Sequence, residues 1–372
     1  MALLAKKLSS IVAGALQNLS DIVIKSSFGS YPIKFQSIDF KKYENSYFLV
    51  DEKIKNHIEL IDERCVVITA TESMKTLGTV ENVMVELSAK GMSKNNDLIA
   101  IGGGYTQDIG TLVASLYMRG VNWIYVPTTL AAMGDSCIGG KSSINAGDVK
   151  NLVGNFYPPK KVLVDSSFVN TLPKFEIIAG ISEIIKISFA KSFKTFSECE
   201  KLITQWQNDG DQETITKVIQ LSLISKQYFV EEDEFDTGIR KLLNFGHSFG
   251  HAMESASDYK IPHGVAVLIG MIAASQHPVS KSTNETQKLV TKSLAFSKAV
   301  KEEIATEISK LDYEKFSQAL AKDKKNSNSD LVLILPSDSG LEIVKIPFDQ
   351  GALAVATTAM RSGIEMVLNE IR

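Results

Sequence analysis

Three of the five histidines in the chain lie within one short window, at His247, His251 and His263. His247 and His251 are four residues apart, so on a helix their side chains share a face. Imidazoles at this spacing are typical of a metal site, because both rings can reach the same ion. A lone histidine is more often a packed or surface residue, and we interpret His57 and His277 in that way.

A run of glycines, Gly102–Gly104, is the second feature with chemical potential. It follows a β-rich run and precedes a helical one, so backbone N–H groups there can approach a pyrophosphate at a helix N-terminus. Such a turn also serves close packing alone, and its spacing is not that of the GxGxxG fingerprint. By itself the run leaves a nucleotide site and a packing turn equally open.

The elements that must position these residues differ between the two parts of the chain. Before Pro173, short β-rich runs alternate with helical stretches, which predicts a parallel sheet covered on both faces. Such sheets bind ligands at the carboxyl ends of their strands. The predicted strands are YFLVD from Tyr47, CVVITA from Cys65, DLIAIGGG from Asp97, WIYVPTT from Trp123 and KVLVD from Lys161.

After Pro173, apolar residues recur at helical spacing over 175–195, 214–230 and 239–257. Two later runs, LVLILP and LEIVKI, predict a strand pair. We therefore predict an α/β nucleotide-binding domain with a Rossmann-like parallel sheet, residues 1–172. A mostly α-helical domain that binds metal and substrate follows, residues 173–372, and we expect the site in the cleft between the two.

Length, charge and cysteine content narrow the classes of function. A chain of 372 residues with 44% hydrophobic residues can fill two cores. With 40 basic and 43 acidic residues the net charge is −3, so no overall field favours nucleic acid or an anionic membrane. The three cysteines form no CxxC pair, which argues against a disulfide framework and predicts a reducing, cytoplasmic location.

The first residues of the chain raise the question of a signal peptide, because Lys6 and Lys7 precede a mildly apolar stretch. The apolar residues from Leu4 to Leu19 recur at helical spacing with polar residues between them, which favours an amphipathic packing helix. No run reaches the length of about 18 to 20 apolar residues that a membrane span requires.

Several segments match, in order, the motifs of one enzyme family. The first half contains GGGYTQDIG, YMRG, VPTTLAAMGDSCIGGKSSIN and KNLVGNFYPPK, and the second contains AGISEIIK, LNFGHSFGHAME and PHG. Together these segments resemble the 3-dehydroquinate synthase family, and the resemblance runs from Glu72 to Lys325, most of the chain.

The resemblance implies an NAD- and metal-dependent carbon–oxygen lyase of the shikimate pathway, which leads to aromatic amino acids. The implied reaction converts 3-deoxy-arabino-heptulosonate 7-phosphate to 3-dehydroquinate and phosphate without net redox change. A hydride leaves the ring C5 for NAD, phosphate is eliminated, the hydride returns, and an internal aldol reaction closes the carbocycle. Much of the protein's contribution is to hold one reactive conformer.

The resemblance also implies a nucleotide site. Glu72 and Lys75 correspond to the family's ExxK segment beside the cofactor. Taken singly, each of these residues is more often a cap or a turn residue. The full set of implied NAD-binding residues is Glu72, Lys75, Gly103, Gly104, Asp108, Thr128, Thr129, Asp135, Lys150 and Thr171.

The metal ligands that the resemblance implies are Glu183, His247 and His263. His251 then faces the substrate as a hydrogen-bonding or acid–base group, so the histidines four residues apart are not both ligands. Two imidazoles and a carboxylate suit zinc, with cobalt as a substitute.

A substrate that carries a phosphate and a carboxylate requires several cations. Lys186 lies three residues after Glu183 on one helix face, and Arg240 and Asn244 extend the face of His247 by two turns. Arg119 would reach the phosphate pocket of a neighbouring subunit, which implies a homodimer. The implied catalytic residues are Lys141, Lys186, Lys226, Arg240, Asn244 and His251, and the implied substrate-binding residues are Arg119, Asn151 and Lys324, for which Lys325 competes.

One residue departs from the family pattern, because Val265 stands where the motif usually has glutamate. That acid would be a natural partner for a metal-binding histidine. Its absence leaves open a related sugar-phosphate cyclase of surface-polysaccharide or secondary metabolism. Two more hypotheses stay open: a metal-dependent polyol dehydrogenase, which would accumulate NADH, and an inactive homologue that acts as a scaffold.

Overall fold

The computed structural model describes residues 21–59, 62–147, 149–323, 326 and 329–372. The predicted N-terminal helix and the predicted substrate ligand Lys324, with its neighbour Lys325, lie outside these residues. The chain divides into two compact units. Unit 1 contains the residues up to Leu172 together with Gln205–Glu234, and unit 2 contains Pro173–Thr204 and Phe235–Arg372.

A seven-stranded sheet forms the core of unit 1. The order across it is β1-β2-β9-β6-β5-β3-β4, and all neighbours except β1 and β2 are parallel. The remaining two strands, β7 and β8, form a separate antiparallel hairpin. The strands of unit 1 are β1 Ile22–Ile24, β2 Tyr31–Phe35, β3 Ser46–Asp51, β4 Cys65–Ile68, β5 Asp97–Gly102, β6 Trp123–Pro127, β7 Ile144–Ala146, β8 Val149–Val153 and β9 Lys161–Val164.

All five strands that the sequence predicts are present in this sheet. The central strands β5 and β6 are buried almost throughout, as expected for apolar runs in a sheet covered on both faces. The sequence patterns do not predict β1, β2 or the hairpin, because these strands are short and partly polar. Among the described residues before 172, the α-helices are α1 Glu52–Lys55, α2 Leu77–Ala89 and α3 Gly104–Leu116.

The next three helices are α4 Lys174–Lys191, α5 Phe193–Asp209 and α6 Gln212–Glu232. The predicted helical stretch 175–195 is interrupted at Ser192, whose backbone is extended. Helix α6 belongs to unit 1, which differs from the contiguous second domain, 173–372, that we predict from the sequence. The physical reason is a buried polar contact, because the Ser222 hydroxyl on α6 donates to the Gly134 carbonyl at 2.7 Å.

Unit 2 is built around one helix that is buried along almost its whole length. In α8, residues 264–274 are all buried, so α8 forms the centre of the helical core. The hairpin of β10 Asp330–Ser337 and β11 Gly340–Pro347 confirms the predicted strand pair. The helices after Phe235 are α7 His247–Ala256, α8 His263–Ser275, α9 Asn284–Ala299, α10 Lys301–Ser309, α11 Tyr313–Ala321 and α12 Gln350–Ile371.

The predicted continuous helix over 239–257 is wrong. Ile239–Asn244 is a 3₁₀-helix, and the chain turns at Gly246, which has a left-handed φ of +77°, before α7 begins. A side chain at this position would be strained by that φ and would also collide with the Val267 carbonyl. Among the helices of the described residues, none is both long enough and apolar enough to cross a bilayer.

Candidate active site

A buried carboxylate on α4 forms the centre of the cluster in unit 2. The side chain of Glu183 is 5% exposed, and the Lys186 ammonium, one turn later, donates to its Oε2. Its Oε1 is buried and has no hydrogen-bond partner among the described residues. This oxygen lies 3.5 Å from Nε2 of His263 and 3.9 Å from Nε2 of His247. The three predicted metal ligands therefore lie together.

Hydrogen bonds orient both of these imidazoles. Nδ1 of His247 is 3.3 Å from the Phe245 carbonyl oxygen, and Nδ1 of His263 is 3.0 Å from Oε2 of Glu254. These acceptors assign the proton to Nδ1 in each ring, which leaves the Nε2 lone pairs directed toward Glu183. A carbonyl or carboxylate behind the ring is the usual support of a metal-binding histidine.

His251 lies in the same cluster, one turn after His247 on α7. The ring centroids of His247, His251 and His263 are 5.3 to 5.4 Å apart, and each ring offers a nitrogen within 4.8 Å of the others. A buried carboxylate oxygen beside two imidazole nitrogens fits a divalent cation, because a buried charge requires a compensating partner. His251 is exposed and is also within reach of such an ion.

Close packing at a glycine sets the distance between Glu183 and His263. A Cβ added to Gly264 would lie 2.5 Å from the carbonyl oxygen and 2.6 Å from Cα of Ala179. Ala179 precedes Glu183 by one turn of α4, and Gly264 directly follows His263 in α8. Glycine at 264 thus lets the two helices approach closely enough for their side chains to share one ion.

The valine at position 265 does not leave His263 without a carboxylate partner. Val265 is fully buried in the core of unit 2, whereas the Glu254 carboxylate supports His263. Although desolvation lowers the pKa of His263, the carboxylates of Glu254 and Glu183 outweigh it and raise that pKa above its ordinary value. The carboxylate partner of this imidazole is therefore Glu254 on α7, which lies in the matched segment GHAME.

The remaining predicted residues of unit 2 are placed differently. Arg240 and Asn244 lie on the 3₁₀-helix, so they do not extend the face of His247 as predicted. Arg240 is buried, and the Asn244 amide donates to the Lys241 carbonyl at 3.2 Å. The turn at Gly246 separates these residues from α7 and breaks the helical register.

In unit 1, the glycine run forms the turn between β5 and α3. A Cβ on Gly103, the residue that caps α3, would lie 2.9 Å from Cγ2 of Thr129. The Thr128 amide donates to the Gly102 carbonyl at 3.0 Å, and the Thr129 hydroxyl accepts from the Ala132 amide at 3.2 Å. The run therefore serves close packing, and Gly104, at which α3 begins, is partly exposed. A helix N-terminus favours an anion.

Several of the residues assigned to NAD and substrate form one polar network. The Lys75 ammonium lies 2.8 Å from the Asp108 carboxylate and donates to Oδ1 of Asn151 at 3.1 Å. Burial raises the pKa of Asp108, and the charge of Lys75 opposes that effect. Glu72 pairs with Lys150 at 3.5 Å. Residues that are far apart in sequence therefore meet beside the hairpin.

Lys226 and Asp135 form a second buried pair in unit 1. The ammonium of Lys226, on α6, lies 2.5 Å from Oδ1 of Asp135 and donates to its carbonyl oxygen at 2.7 Å. Asp135 belongs to a π-helix, Ala132–Ser136, and such turns recur at functional sites. The structure thus places Lys226 in unit 1, beside a residue assigned to NAD.

Three predicted residues lie outside these clusters. Arg119 is exposed in a turn with positive φ at Met118, Arg119 and Gly120, and the Lys94 ammonium donates to the carbonyls of Met118 and Gly120. The ammonium of Lys141 lies over the Phe156 ring, 5.8 Å from its centroid. The Thr171 hydroxyl donates to the Phe168 carbonyl at 2.7 Å, so it caps its own turn.

The sequence patterns miss three residues of these networks: Ser143, Asn145 and Glu254. The backbone N–H of Ser143 donates to the Asp108 carboxylate at 2.9 Å, and the side-chain carboxamide of Asn145 donates to the Glu72 carboxylate at 2.8 Å. All three lie inside matched segments, in GGKSSIN and GHAME, so their positions carried a signal. Which partner each side chain contacts depends on chain reversals that no local pattern specifies.

A Rossmann-like unit combined with a helical unit that carries a carboxylate–imidazole cluster defines a class of enzymes that use a dinucleotide and a divalent metal. Models of the 3-dehydroquinate synthase N-terminal and C-terminal domains match residues 65–179 and 180–326. The chain belongs to the 3-dehydroquinate synthase family.

Individual relatives agree with this membership. The chain is 39% identical to a 3-dehydroquinate synthase of Dictyoglomus thermophilum over 63% of this chain and 68% of that protein. It is 34% identical to that of Prochlorococcus marinus over 89% and 90%. In fold, it is similar to 2-epi-5-epi-valiolone synthase from Streptomyces hygroscopicus, solved with NAD⁺ and Zn²⁺, with a TM-score of 0.75, 23% identity and coverage of 92% and 99%. The predicted family, fold class and type of enzyme are confirmed.

Proposed function

We propose that the chain converts 3-deoxy-arabino-heptulosonate 7-phosphate to 3-dehydroquinate and phosphate, with NAD reduced and reoxidised in each turnover. The observation that carries this proposal is the orphaned Oε1 of Glu183, which faces Nε2 of both His247 and His263. Family membership supports the same substrate and the same pair of cofactors.

Glu183, His247 and His263 would hold zinc or cobalt, which when bound polarises the hydroxyls of the substrate. The Phe245 carbonyl and Glu254 keep both imidazoles in the tautomer that presents Nε2. The Lys186 ammonium donates to Oε2 of Glu183, so Oε1 is the oxygen that would serve as the ligand. The protein therefore fixes the donor atoms before any ion arrives.

His251 is the residue of this cluster that is best placed to exchange protons with the substrate. Its ring is exposed and lies beside the predicted ligands, so it can donate to a hydroxyl or accept a proton from it. We assign Lys186, Arg240 and Asn244 to binding and orientation of the substrate in unit 2. Holding one conformer matters most here, because phosphate elimination and ring closure both require a fixed substrate geometry.

Unit 1 would hold NAD, whose nicotinamide accepts the hydride and returns it. The glycine turn at the N-terminus of α3 would bind the pyrophosphate, because its amides and the helix dipole both favour an anion. The network of Lys75, Asp108 and Asn151 would lie alongside. The other residues that we assign to this unit are Glu72, Thr128, Thr129, Asp135, Lys141, Lys150, Thr171 and Lys226.

We further propose a homodimer in which Arg119 reaches the phosphate site of the partner subunit. Arg119 is exposed in its turn, and the neighbouring residues Leu116 and Met118 are 51% and 43% exposed. Exposed apolar side chains around an arginine are typical of a subunit interface. The cytoplasm is the proposed location, because all three thiols are free and buried, as in a reducing compartment.

A mixed dimer tests this assignment of Arg119. Arg119→Ala and His263→Ala are each expected to be inactive. A statistical mixture of the two should recover about a quarter of the wild-type activity, because half of the dimers are hybrids and one of the two sites in each hybrid is intact. No recovery in a mixture shown to contain hybrid dimers would place Arg119 in its own subunit's site or outside the site.

The direct test of the reaction follows phosphate release and NADH absorbance together in the metal-loaded protein. We expect phosphate release from the heptulosonate with no net accumulation of NADH, whereas a polyol dehydrogenase would accumulate it. His263→Ala should lose metal and turnover while its circular dichroism spectrum is retained. Inactivity on the heptulosonate with turnover of another sugar phosphate would reject the proposed substrate in favour of a related cyclase.

A further inference from the structure

The hairpin β7–β8 carries residues that we assign to the nucleotide and substrate sites, and its pairing is irregular. Ile144 pairs with Val153 and Ala146 pairs with Val149, with a register shift between them. Between these pairs, the single residue Asn145 of β7 therefore faces three residues of β8. Bulges of this kind redirect side chains next to active sites. The three bulged residues are Lys150, Asn151 and Leu152.

Within this bulge, the side chain of Asn145 binds the backbone of Asn151. Asn151 has a left-handed φ of +53°, a backbone conformation that residues other than glycine adopt only uncommonly. Its backbone N–H donates to Oδ1 of Asn145 at 2.9 Å, and its own Oδ1 accepts from the Lys75 ammonium at 3.1 Å. The carboxamide of Asn145 therefore substitutes for strand pairing and holds Asn151 toward Lys75.

The other end of the same carboxamide binds the turn before α2. Nδ2 of Asn145 donates to Oε1 of Glu72 at 2.8 Å and to the Glu72 carbonyl at 3.2 Å. The backbone N–H of Asn145 donates to the Lys75 carbonyl at 2.7 Å. A hairpin of two short strands is only marginally stable by itself, so these bonds fix its position on unit 1.

We propose that Asn145 is a positioning residue of the nucleotide site. Its side chain joins the bulge of β8 to the Glu72–Lys75 turn, so Lys75, Lys150 and Asn151 are in place before NAD arrives. This inference rests on the proposed function, because it is NAD that Lys75 and Lys150 are proposed to hold, with Asn151 at the adjoining substrate site. Groups arranged in advance improve binding, since less freedom is lost when the ligand arrives.

The test compares Asn145→Ala with Asn96→Ala by titrating NAD⁺ into the metal-loaded full-length protein. Asn96 is a matched control in the same unit, because its carboxamide also makes three hydrogen bonds, to Ser93 N, Ser93 Oγ and the Asn45 carbonyl. We expect Asn145→Ala to raise the Kd for NAD⁺ by about 10- to 100-fold. Asn96→Ala should lower the melting temperature without changing that Kd.

A swap of polarity distinguishes positioning from a general loss of structure. Asn145→Asp keeps the acceptor for Asn151 but repels Glu72, and adding Glu72→Gln restores a donor–acceptor pair. The fold-increase in the Kd for NAD⁺ should therefore be smaller in the double variant than the product of the fold-increases in the two single variants. The inference would be overturned if the increases in Kd of the two single variants simply multiply in the double variant. It would also be overturned if Asn145→Ala and Asn96→Ala have equal Kd values. Absence of NAD⁺ binding by the wild type would instead reject the proposed function.

Discussion

Replacing Gly264 by alanine should separate the predicted metal ligands while leaving the fold intact. The added Cβ would lie 2.6 Å from Cα of Ala179, and ordinary contact begins at 3.4 Å. Helix α8 must therefore move away from α4 by about 0.8 Å, the difference between these distances. Metal–ligand distances tolerate only about 0.2 Å. His263 moves with α8, whereas Glu183 stays on α4.

The effect on the free energy of unfolding should be small. Overpacking costs about 1 to 3 kcal/mol, and the better helix propensity of alanine offsets up to about 1 kcal/mol of it. The effect on zinc affinity should be larger, with a loss on the order of 100-fold. At a zinc concentration well above the Kd of both proteins, the stabilisation by zinc should then be smaller in the variant by about 2.7 kcal/mol.

Competition with a chromophoric chelator measures the zinc affinity, and urea unfolding with and without zinc measures the stabilisation. Gly363→Ala is the matched control, because its Cβ would lie 3.0 Å from Cα of Ala273, near the other end of α8. It should reduce stability without changing the affinity for zinc. If Gly264→Ala binds zinc as tightly as Gly363→Ala does, the packing of α8 against α4 does not set the ligand geometry.

The same contacts lead to three further predictions. Glu254→Gln keeps an acceptor for His263 but removes the charge, so zinc affinity should fall about tenfold by chelator competition, and an unchanged affinity would refute the role of that charge. Lys226→Met should cost about 3 to 5 kcal/mol in urea unfolding by stranding Asp135, and Asp135→Asn should recover part of this loss. Burial raises the pKa of Cys137 from 9.0 to about 12, so the folded thiol stays protonated where the unfolded thiol ionises. The free energy of unfolding should therefore fall as the pH rises from 9.0 toward about 12. The fall should be steeper in the wild type than in Cys137→Ala, by up to about 1.4 kcal/mol per pH unit.

The sequence predicts those elements whose signal is local. The five buried parallel strands are nearly continuous apolar runs, and such runs need no knowledge of their neighbours. The break at Gly246 could not be predicted in the same way, because apolar periodicity continues across it. What ends the helix there is close packing of Gly246 against Val267 on α8, a contact between residues far apart in sequence.

The assignment of α6 to unit 1 is a second case that local patterns cannot settle. Its apolar periodicity predicts a helix, and a helix is present, but periodicity does not say what its buried polar residues contact. Ser222 and Lys226 bond to carbonyls of Gly134 and Asp135 in the π-helix. The carbonyls of a π-turn are not all satisfied within the turn, so helix α6 supplies donors to them.

In the predicted site, too, some residues are identified by local motifs, whereas others depend on contacts between residues far apart in sequence. The ligand set of Glu183, His247 and His263 is implied by the resemblance of AGISEIIK, LNFGHSFGHAME and PHG to the family motifs, whereas helical spacing alone points to His247 and His251. The supporting role of Glu254 cannot be read from the motifs, because it depends on how α7 and α8 meet. Val265 shows the consequence, since its departure from the motif suggests a lost carboxylate until the structure reveals another one behind His263.

The charge balance of the cluster explains why two imidazoles are combined with a single carboxylate. His247 and His263 are the first residues of α7 and α8, so the positive ends of two helix dipoles lie at the cluster, and Lys186 adds a full charge. One oxygen of Glu183 is occupied by that ammonium, which leaves Glu183 and Glu254 to offset a divalent ion only in part. A purely structural metal site would gain affinity from more anionic ligands. A cluster that keeps excess positive charge instead attracts a substrate that carries both a phosphate and a carboxylate, and it favours the ionised form of any hydroxyl held there.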